Sequence, residues 1–250
     1  MDKNRNFKAI GVVPARMASV RLPGKMIADL CGKPLVVVTA ESALASGAFD
    51  EVIVATDSDE IANVVEKAGF KTVLTDPELP SGTARVAEVA KLTDADVYVN
   101  IQGDEPLIDS EGLVKVVEAF SNNEVEMATL WFPLMPEDEQ NPNAVKLITD
   151  ANDDAIYFSR SIIPFPRNYD RFAPKKHLGV YGYRKQTLLK LMSLQPCDLE
   201  KIESLEQLRA LYHGIKIRVI KASQDSIGVD THQDLERVRK MISERNSEQG

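Results

Sequence analysis

Apolar positions along the chain fall into short unbroken runs, separated by stretches of helical spacing. Residues 8–13 (KAIGVV) form such a run, the mark of a strand buried on both faces. The pattern then predicts a helix over 35–45, a strand over 51–55 and a helix over 58–68. In that helix Ile61, Val64, Val65 and Ala68 share one face. A short strand at 71–74, a helix at 82–92, a strand at 96–101 and a helix at 110–120 continue the alternation. Strand–helix alternation of this kind predicts a mainly parallel central sheet with helices on both faces.

The rhythm changes after Glu124. MATLWFPL, NAVKLITD, DAIYFSR and HLGVYGYR read as four strands with little helix between them. They predict a smaller β-rich insertion or arm at about 130–180 within one domain spanning 1–250. A helix over about 199–213, a strand over 216–221 and a last helix over 231–243 follow. The polar tail ERNSEQG is expected to fray. No internal repeat or low-complexity linker interrupts the chain.

Composition narrows the class. With 250 residues, 44% of them hydrophobic, the chain can build one large α/β core. It has no apolar run of membrane-spanning length, and its start lacks the apolar core of a signal peptide. A cytoplasmic protein with no membrane insertion is expected. The two cysteines, Cys31 and Cys197, lie far apart and in no metal-ligand spacing, so reduced thiols are expected. The net charge of −8 argues against nucleic-acid binding, which needs a basic face. An anionic small molecule would need a local basic cluster.

One such cluster exists. The first strand runs into ARMASVRLPGK, residues 15–25, which carries Arg16, Arg21 and Lys25 and no acid. Ligands of open α/β sheets bind beyond the carboxyl ends of strands. There, guanidinium forks and backbone N–H groups can meet phosphates. A solvated surface turn is the plain alternative. No GxxxxGK[ST] or GxGxxG follows a strand, which disfavours a P-loop NTPase or a Rossmann dehydrogenase.

Carboxylates are the second candidate feature. DVYVNI runs into QGDEP and brings Asp104 and Glu105 to the same sheet edge. Mg²⁺ takes one or two carboxylates plus substrate phosphates, so Asp104 is a candidate ligand; a β-turn before Pro106 is the alternative. Asp230 in SIGVDTHQDL is another candidate, although Asp230 or Thr231, with Asp234, also reads as a helix cap. For Asp57 in VATDSDEI the cap is the favoured reading.

Taken together, VVPARMASVRLPGK, IVATD, SGTAR, NIQGDEP, NPNAVK, YFSR, IPF, HLGVYGYR, LEQLR and GVDT resemble the 3-deoxy-manno-octulosonate (Kdo) cytidylyltransferases. They run in family order over nearly the whole chain. The resemblance implies a nucleotide-diphospho-sugar transferase-like α/β sandwich with an element used to form a homodimer. It implies CMP transfer from CTP to the anomeric hydroxyl of Kdo, with Mg²⁺, in lipopolysaccharide biosynthesis. It places Ala15, Arg16, Arg21 and Lys25 on the CTP-phosphate loop, and Ser81, Gly82 and Arg85 on the nucleoside segment. Asp104 and Asp230 fall on the metal aspartates, with Asp104 also beside CTP. Lys25, Arg16, Asp104 and Asp230 carry the catalytic expectation.

By the same resemblance Gln102, Arg160, His177, Tyr181, Glu206 and Gln207 fall on the sugar-acid pocket. Read alone, the plain reading is favoured for each: Tyr181 as a core residue of its strand, Glu206 and Gln207 as a solvated helix face, and His177 as a structural histidine. One segment departs from the family: where His-x-Ser-Gly-Thr is often followed by an acid and Arg, this chain has Leu79 for the His and Ala84 for the acid. Partial tolerance of UTP beside CTP is therefore expected. The rival readings are the same chemistry on 8-amino-Kdo or another sugar acid, and a non-catalytic nucleotide-binding protein.

Overall fold

The computed structural model describes residues 5–19 and 21–248. The expectations for residues 1–4 and for the end of the tail at 249–250 lie outside that range, while over 244–248 the tail expected to fray continues the last helix. The first half alternates as its apolar pattern requires. Strand β1 (Ala9–Ala15) is followed by a two-residue hairpin, β2 (Asp29–Leu30) and β3 (Lys33–Pro34). Then come α1 (Leu35–Ala45), β4 (Glu51–Thr56), α2 (Asp59–Lys67), β5 (Lys71–Leu74), α3 (Gly82–Leu92), β6 (Val97–Asn100) and α4 (Ser110–Ala119). Helix α2 begins where Ser58 Oγ accepts the Ile61 N–H at 3.4 Å. Helix α3 begins the same way, with Ser81 Oγ accepting from Ala84 N at 3.2 Å.

The second half contains β7 (Met127–Pro133), β8 (Lys146–Thr149), β9 (Ala155–Ser159) and β10 (Lys175–Arg184). It ends with α5 (Lys185–Ser193), α6 (Asp198–Glu203), α7 (Gln207–Tyr212), β11 (Ile217–Lys221) and α8 (His232–Glu248). The long path of the main sheet is β11-β7-β10-β6-β1-β4-β5. Only β10 runs against its neighbours in that path; the other six strands point one way. Two of the four expected middle strands, β7 and β10, are therefore integral to the central sheet. Only β8 and β9 extend beyond it, through pairing of Lys175 and Lys176 with Leu147 and Lys146.

Two local differences have physical causes. The helix expected over 199–213 is two helices, α6 and α7. Ser204 adopts a left-handed backbone (φ 51), and the Leu205 N–H turns back to the Glu200 carbonyl. Helix α5 was not foreseen, because it starts directly at the end of β10 without a turn residue between them. Its Thr187, Leu188 and Leu191 are buried at helical spacing.

The core has two main layers, one on each face of the sheet. One packs α1 and α4 on the sheet, with Val36, Ala40, Leu113 and Val117 against Val13, Val97 and Val99. The other packs α3, α5 and α7, with Val86, Leu188 and Leu208 against Val12, Tyr98 and Tyr183. A smaller cluster joins Leu22 and Leu30 to Leu235 and Val238 of α8. Burying those two α8 side chains contributes about 3–6 kcal/mol before chain entropy is counted. That contact docks the start of α8, and with it Asp230, against the basic loop.

Candidate active site

The chain leaves β1 for β4 and β5 on one side, then returns to place β6 on the other side of β1. This is a topological switch point, and the loops leaving the two strands must diverge to open a crevice. The crevice is a cleft of about 570 Å³. Arg16, Arg21 and Lys25 line one wall, Ser81, Gly82 and Arg85 another, and Gln102, Asp104 and Asp230 the floor. Ala15, also expected on this loop, is buried at the end of β1 and does not line the cleft.

The basic loop is held by Leu22, 3% exposed, and by Gly24 in a left-handed turn (φ 67). The Lys25 side chain is thereby turned inward. Its Nζ lies 2.5 Å from Asp104 Oδ2 and 3.0 Å from Asp230 Oδ1. Burial by itself would lower the Lys25 pKa, but the Asp104 and Asp230 carboxylates outweigh it and hold the ammonium above its ordinary value. Arg21 meets the other Asp230 oxygen at 2.9 Å. Gly103 lets the loop after β6 pass close to β1, since a Cβ there would lie 2.7 Å from the Pro14 carbonyl oxygen.

The structure resolves the two readings of Asp230. The helix is capped by its neighbours: Thr231 Oγ1 accepts the Asp234 N–H at 3.2 Å, and Asp234 accepts the Thr231 N–H at 2.9 Å. Asp230 is left to face the cleft. Its backbone neighbour Val229 donates to the Asp104 carbonyl at 2.8 Å, tying the two carboxylate loops together. Next door, burial raises the Glu105 carboxyl to about 8, and the Asp104 charge adds to the rise.

Asp57 is a correction. It does not cap α2, which Ser58 does. Its Oδ2 pairs with Arg85 Nη2 at 2.7 Å, and its Oδ1 accepts the Met17 N–H at 3.1 Å. Arg85, 4% exposed, also donates to Thr75 Oγ1 and to the Asp76 carbonyl. The available signal was position: IVATD ends at the same sheet edge as the basic loop, and the SDE that follows made a cap look sufficient.

Of the expected sugar-acid residues, Gln102 lines the cleft. The others, Arg160, His177, Tyr181, Glu206 and Gln207, lie outside its lining: His177 and Tyr181 are on β10, Glu206 and Gln207 at the start of α7, and Arg160 against the α6–α7 break. Gln102 meets β10 at an irregularity between Leu178 and Tyr181. There Gln102 Nε2 donates to the Gly179 carbonyl at 2.9 Å, and Thr129 Oγ1 donates to the Val180 carbonyl at 2.7 Å. That hydroxyl has one proton, so at 3.0 Å His177 Nε2–H is the donor to Thr129. Burial lowers the His177 pKa to about 3, which keeps the ring neutral. Tyr181 packs at 5.1 Å from the His177 ring, and burial raises its phenol well above the usual value. Its cross-strand partner Asn100, 2% exposed, has a buried Oδ1 with no hydrogen-bond partner among the described residues.

Arg160 spans the break between α6 and α7. It donates to the carbonyls of Glu203, Ser204 and Pro142 at 2.6, 3.2 and 2.9 Å. All three acceptors are neutral carbonyls, and the Glu203 carboxylate accepts the Arg160 backbone N–H at 2.9 Å. Glu206 stands at the start of α7, and Gln207 is buried within it. Lys146, not foreseen, is fully buried and donates to the Asn141 and Arg160 carbonyls. Its only signal was the motif NPNAVK.

A mainly parallel sheet with cations and paired carboxylates at its switch point defines a nucleotidyltransferase-type α/β sandwich. The Cytidylyltransferase family model matches residues 10–217. A 3-deoxy-manno-octulosonate cytidylyltransferase of Chlorobium limicola is 46% identical, over 94% of this chain and 98% of that protein. One from Pectobacterium carotovorum is 47% identical, over 94% and 98%. The structure of a CMP:2-keto-3-deoxy-manno-octonic acid synthetase complexed with CTP superposes with a TM-score of 0.92 at 38% identity, covering 95% of this chain and 99% of that one. A Leptospira borgpetersenii cytidylyltransferase shares the fold, with a TM-score of 0.64 at 19% identity, covering 95% and 87%. The chain belongs to the 3-deoxy-manno-octulosonate cytidylyltransferase family.

Proposed function

We propose that this protein transfers CMP from CTP to the anomeric hydroxyl of 3-deoxy-manno-octulosonate, releasing pyrophosphate. The observation that carries the reading is Lys25 Nζ lying between Asp104 and Asp230, beside a cleft lined by Arg16 and Arg21. In the reaction the sugar oxygen forms a bond to the α-phosphorus, and the bond from that phosphorus to the bridging oxygen breaks. The electron pair leaves on pyrophosphate, and the hydroxyl proton is released. Two anions must approach and a third must depart, so neutralising charge is the main demand.

The residues divide that work. Arg16 and Arg21 bind the triphosphate, and Lys25 meets the charge that builds on the leaving pyrophosphate. Ser81, Gly82 and Arg85 form the wall for the nucleoside. For the sugar acid, Arg160 supplies a cation for the carboxylate, and Gln102, His177, Tyr181, Glu206 and Gln207 supply donors and acceptors for the hydroxyls. Neutral His177 can orient a hydroxyl without adding charge.

Mg²⁺ fits the same residues. Asp104 and Asp230 are hard oxygen donors that already converge on one cationic atom, Lys25 Nζ. Among the described residues, no cluster of three or more His, Cys, Asp or Glu forms an all-protein cage. That suits an ion held by one or two carboxylates and completed by phosphates. When bound, Mg²⁺ would neutralise phosphate charge and polarise the α-phosphoryl group. Release of pyrophosphate from CTP plus Kdo, with and without Mg²⁺, tests the reading. No release with Kdo, but release with 8-amino-Kdo or a sialic acid, would reassign the sugar.

Three further expectations belong to the same reading: a cytoplasmic enzyme, lipopolysaccharide assembly as the use of its product, and a homodimer. The dimer is supported by exposed apolar side chains on and beyond the β8–β9 extension, Ile156 and Phe165. Sedimentation at micromolar concentration should give twice the chain mass; a monomeric mass would refute it.

A further inference from the structure

We infer that Asp57 is a positioning residue that locks the phosphate loop to the nucleoside wall of the cleft, which rests on the reading that CTP occupies that cleft. Asp57 lies just beyond the carboxyl end of β4, beside β1. Its two oxygens hold two different walls. One pairs with Arg85 Nη2 at 2.7 Å, and the other accepts the backbone N–H of Met17 at 3.1 Å. Met17 directly follows Arg16, and both Arg16 and Arg85 line the cleft.

Local structure does not need this carboxylate, because Ser58 caps α2. Nor is stability a sufficient reason for it. The Arg85 and Asp57 side chains are 5% and 11% exposed, and an ion pair that dry is often no more stabilising than apolar packing. Geometry is what it supplies. Arg85 is fixed from three sides, by Asp57, Thr75 Oγ1 and the Asp76 carbonyl. The residue before it is Ala84, and among the described residues Asp57 is the carboxylate that pairs with Arg85 within 4.0 Å. An oxygen on each side therefore sets the distance between the nucleoside wall and the first phosphate-binding cation.

Asp57→Asn separates these roles. The amide has nearly the same volume but one acceptor oxygen, so it can serve Met17 or Arg85 and not both. Losing one charge-assisted hydrogen bond in a dry site should raise the KM for CTP about tenfold or more. The KM for the sugar acid should stay within about twofold, because among the described residues the side-chain partners of Asp57 are Met17 and Arg85 and none of the expected sugar-acid residues. If Asp57→Asn does not fold, Thr75→Val strips another anchor from the same guanidinium and should raise the CTP KM by about threefold. Wild-type protein that does not turn over CTP overturns the functional reading itself. An active wild type beside variants with an unchanged CTP KM overturns the role of Asp57. So does an equal loss for both substrates that tracks the melting temperature, since that is what a merely structural residue would produce.

Discussion

Replacing Asp230 by asparagine separates catalysis from helix capping. The cap of α8 is built from Thr231 and Asp234, and Asn caps nearly as well as Asp in any case. The Asp230 side chain is 41% exposed and makes two ionic contacts, to Lys25 at 3.0 Å and Arg21 at 2.9 Å. The Arg21 pair is exposed and contributes about 0–1 kcal/mol to folding, and the buried Lys25 ammonium keeps its contact with Asp104, so the melting temperature should move by only a few degrees. Turnover should respond differently. The carboxylate holds Arg21 and Lys25 in place, and on the proposed reading it would, with Asp104, offer Mg²⁺ its oxygens. Loss of one preorganised electrostatic group in such a site costs about 10²–10³-fold in kcat. If the group acts in the transition state, kcat and kcat/KM fall together. The assay is pyrophosphate release at saturating CTP and Kdo over a range of Mg²⁺, with a thermal melt as the folding control. Near-normal kcat at limiting Mg²⁺ would falsify the assignment and leave Asp104 as the single metal candidate.

Three other outcomes follow from the geometry. The folded-state pKa of His177, about 3, lies below its value of about 6.5 in the unfolded chain. Between those values the unfolded chain binds the extra proton, so stability is lost as pH falls below about 6.5, by at most about 1.4 kcal/mol per pH unit. His177→Gln should flatten the melting-temperature profile between pH 7 and pH 5, and an unchanged slope would assign the acid sensitivity to other groups. Gly103→Ala should lower the urea midpoint and abolish most turnover, because its Cβ would meet the Pro14 carbonyl at 2.7 Å; wild-type behaviour would show that the two exit loops can separate freely. CTP should be preferred with UTP used in part, given Leu79 and Ala84 in the nucleoside segment; no detectable UTP turnover at saturation would remove the tolerance and leave the CTP preference.

The sequence by itself determined the layered α/β class, because apolar period is a local property. Short β-branched runs such as AIGVV suit a strand buried on both faces, and the face of Ile61, Val64, Val65 and Ala68 suits a helix packed on such a sheet. It also determined which residues could carry the chemistry, since a loop with three cations and no acid is visible without a fold. What it could not determine is which charges meet. Asp104 and Asp230 are 126 positions apart (230 − 104), and only the docking of α8 on the loop cluster of Leu22 and Leu30 brings both to Lys25. The same limit explains Asp57, whose local context offered a helix start while its partners, Met17 and Arg85, lay 40 and 28 residues away. The break at Ser204 was invisible for a related reason. The apolar spacing continues through it, and the left-handed turn is held from outside the helix, by Arg160 reaching the Glu203 and Ser204 carbonyls across 43 and 44 residues. Side-chain type and period are written into each segment, but the partner of a buried charge is set by where distant segments are packed, and that is decided only when the core closes.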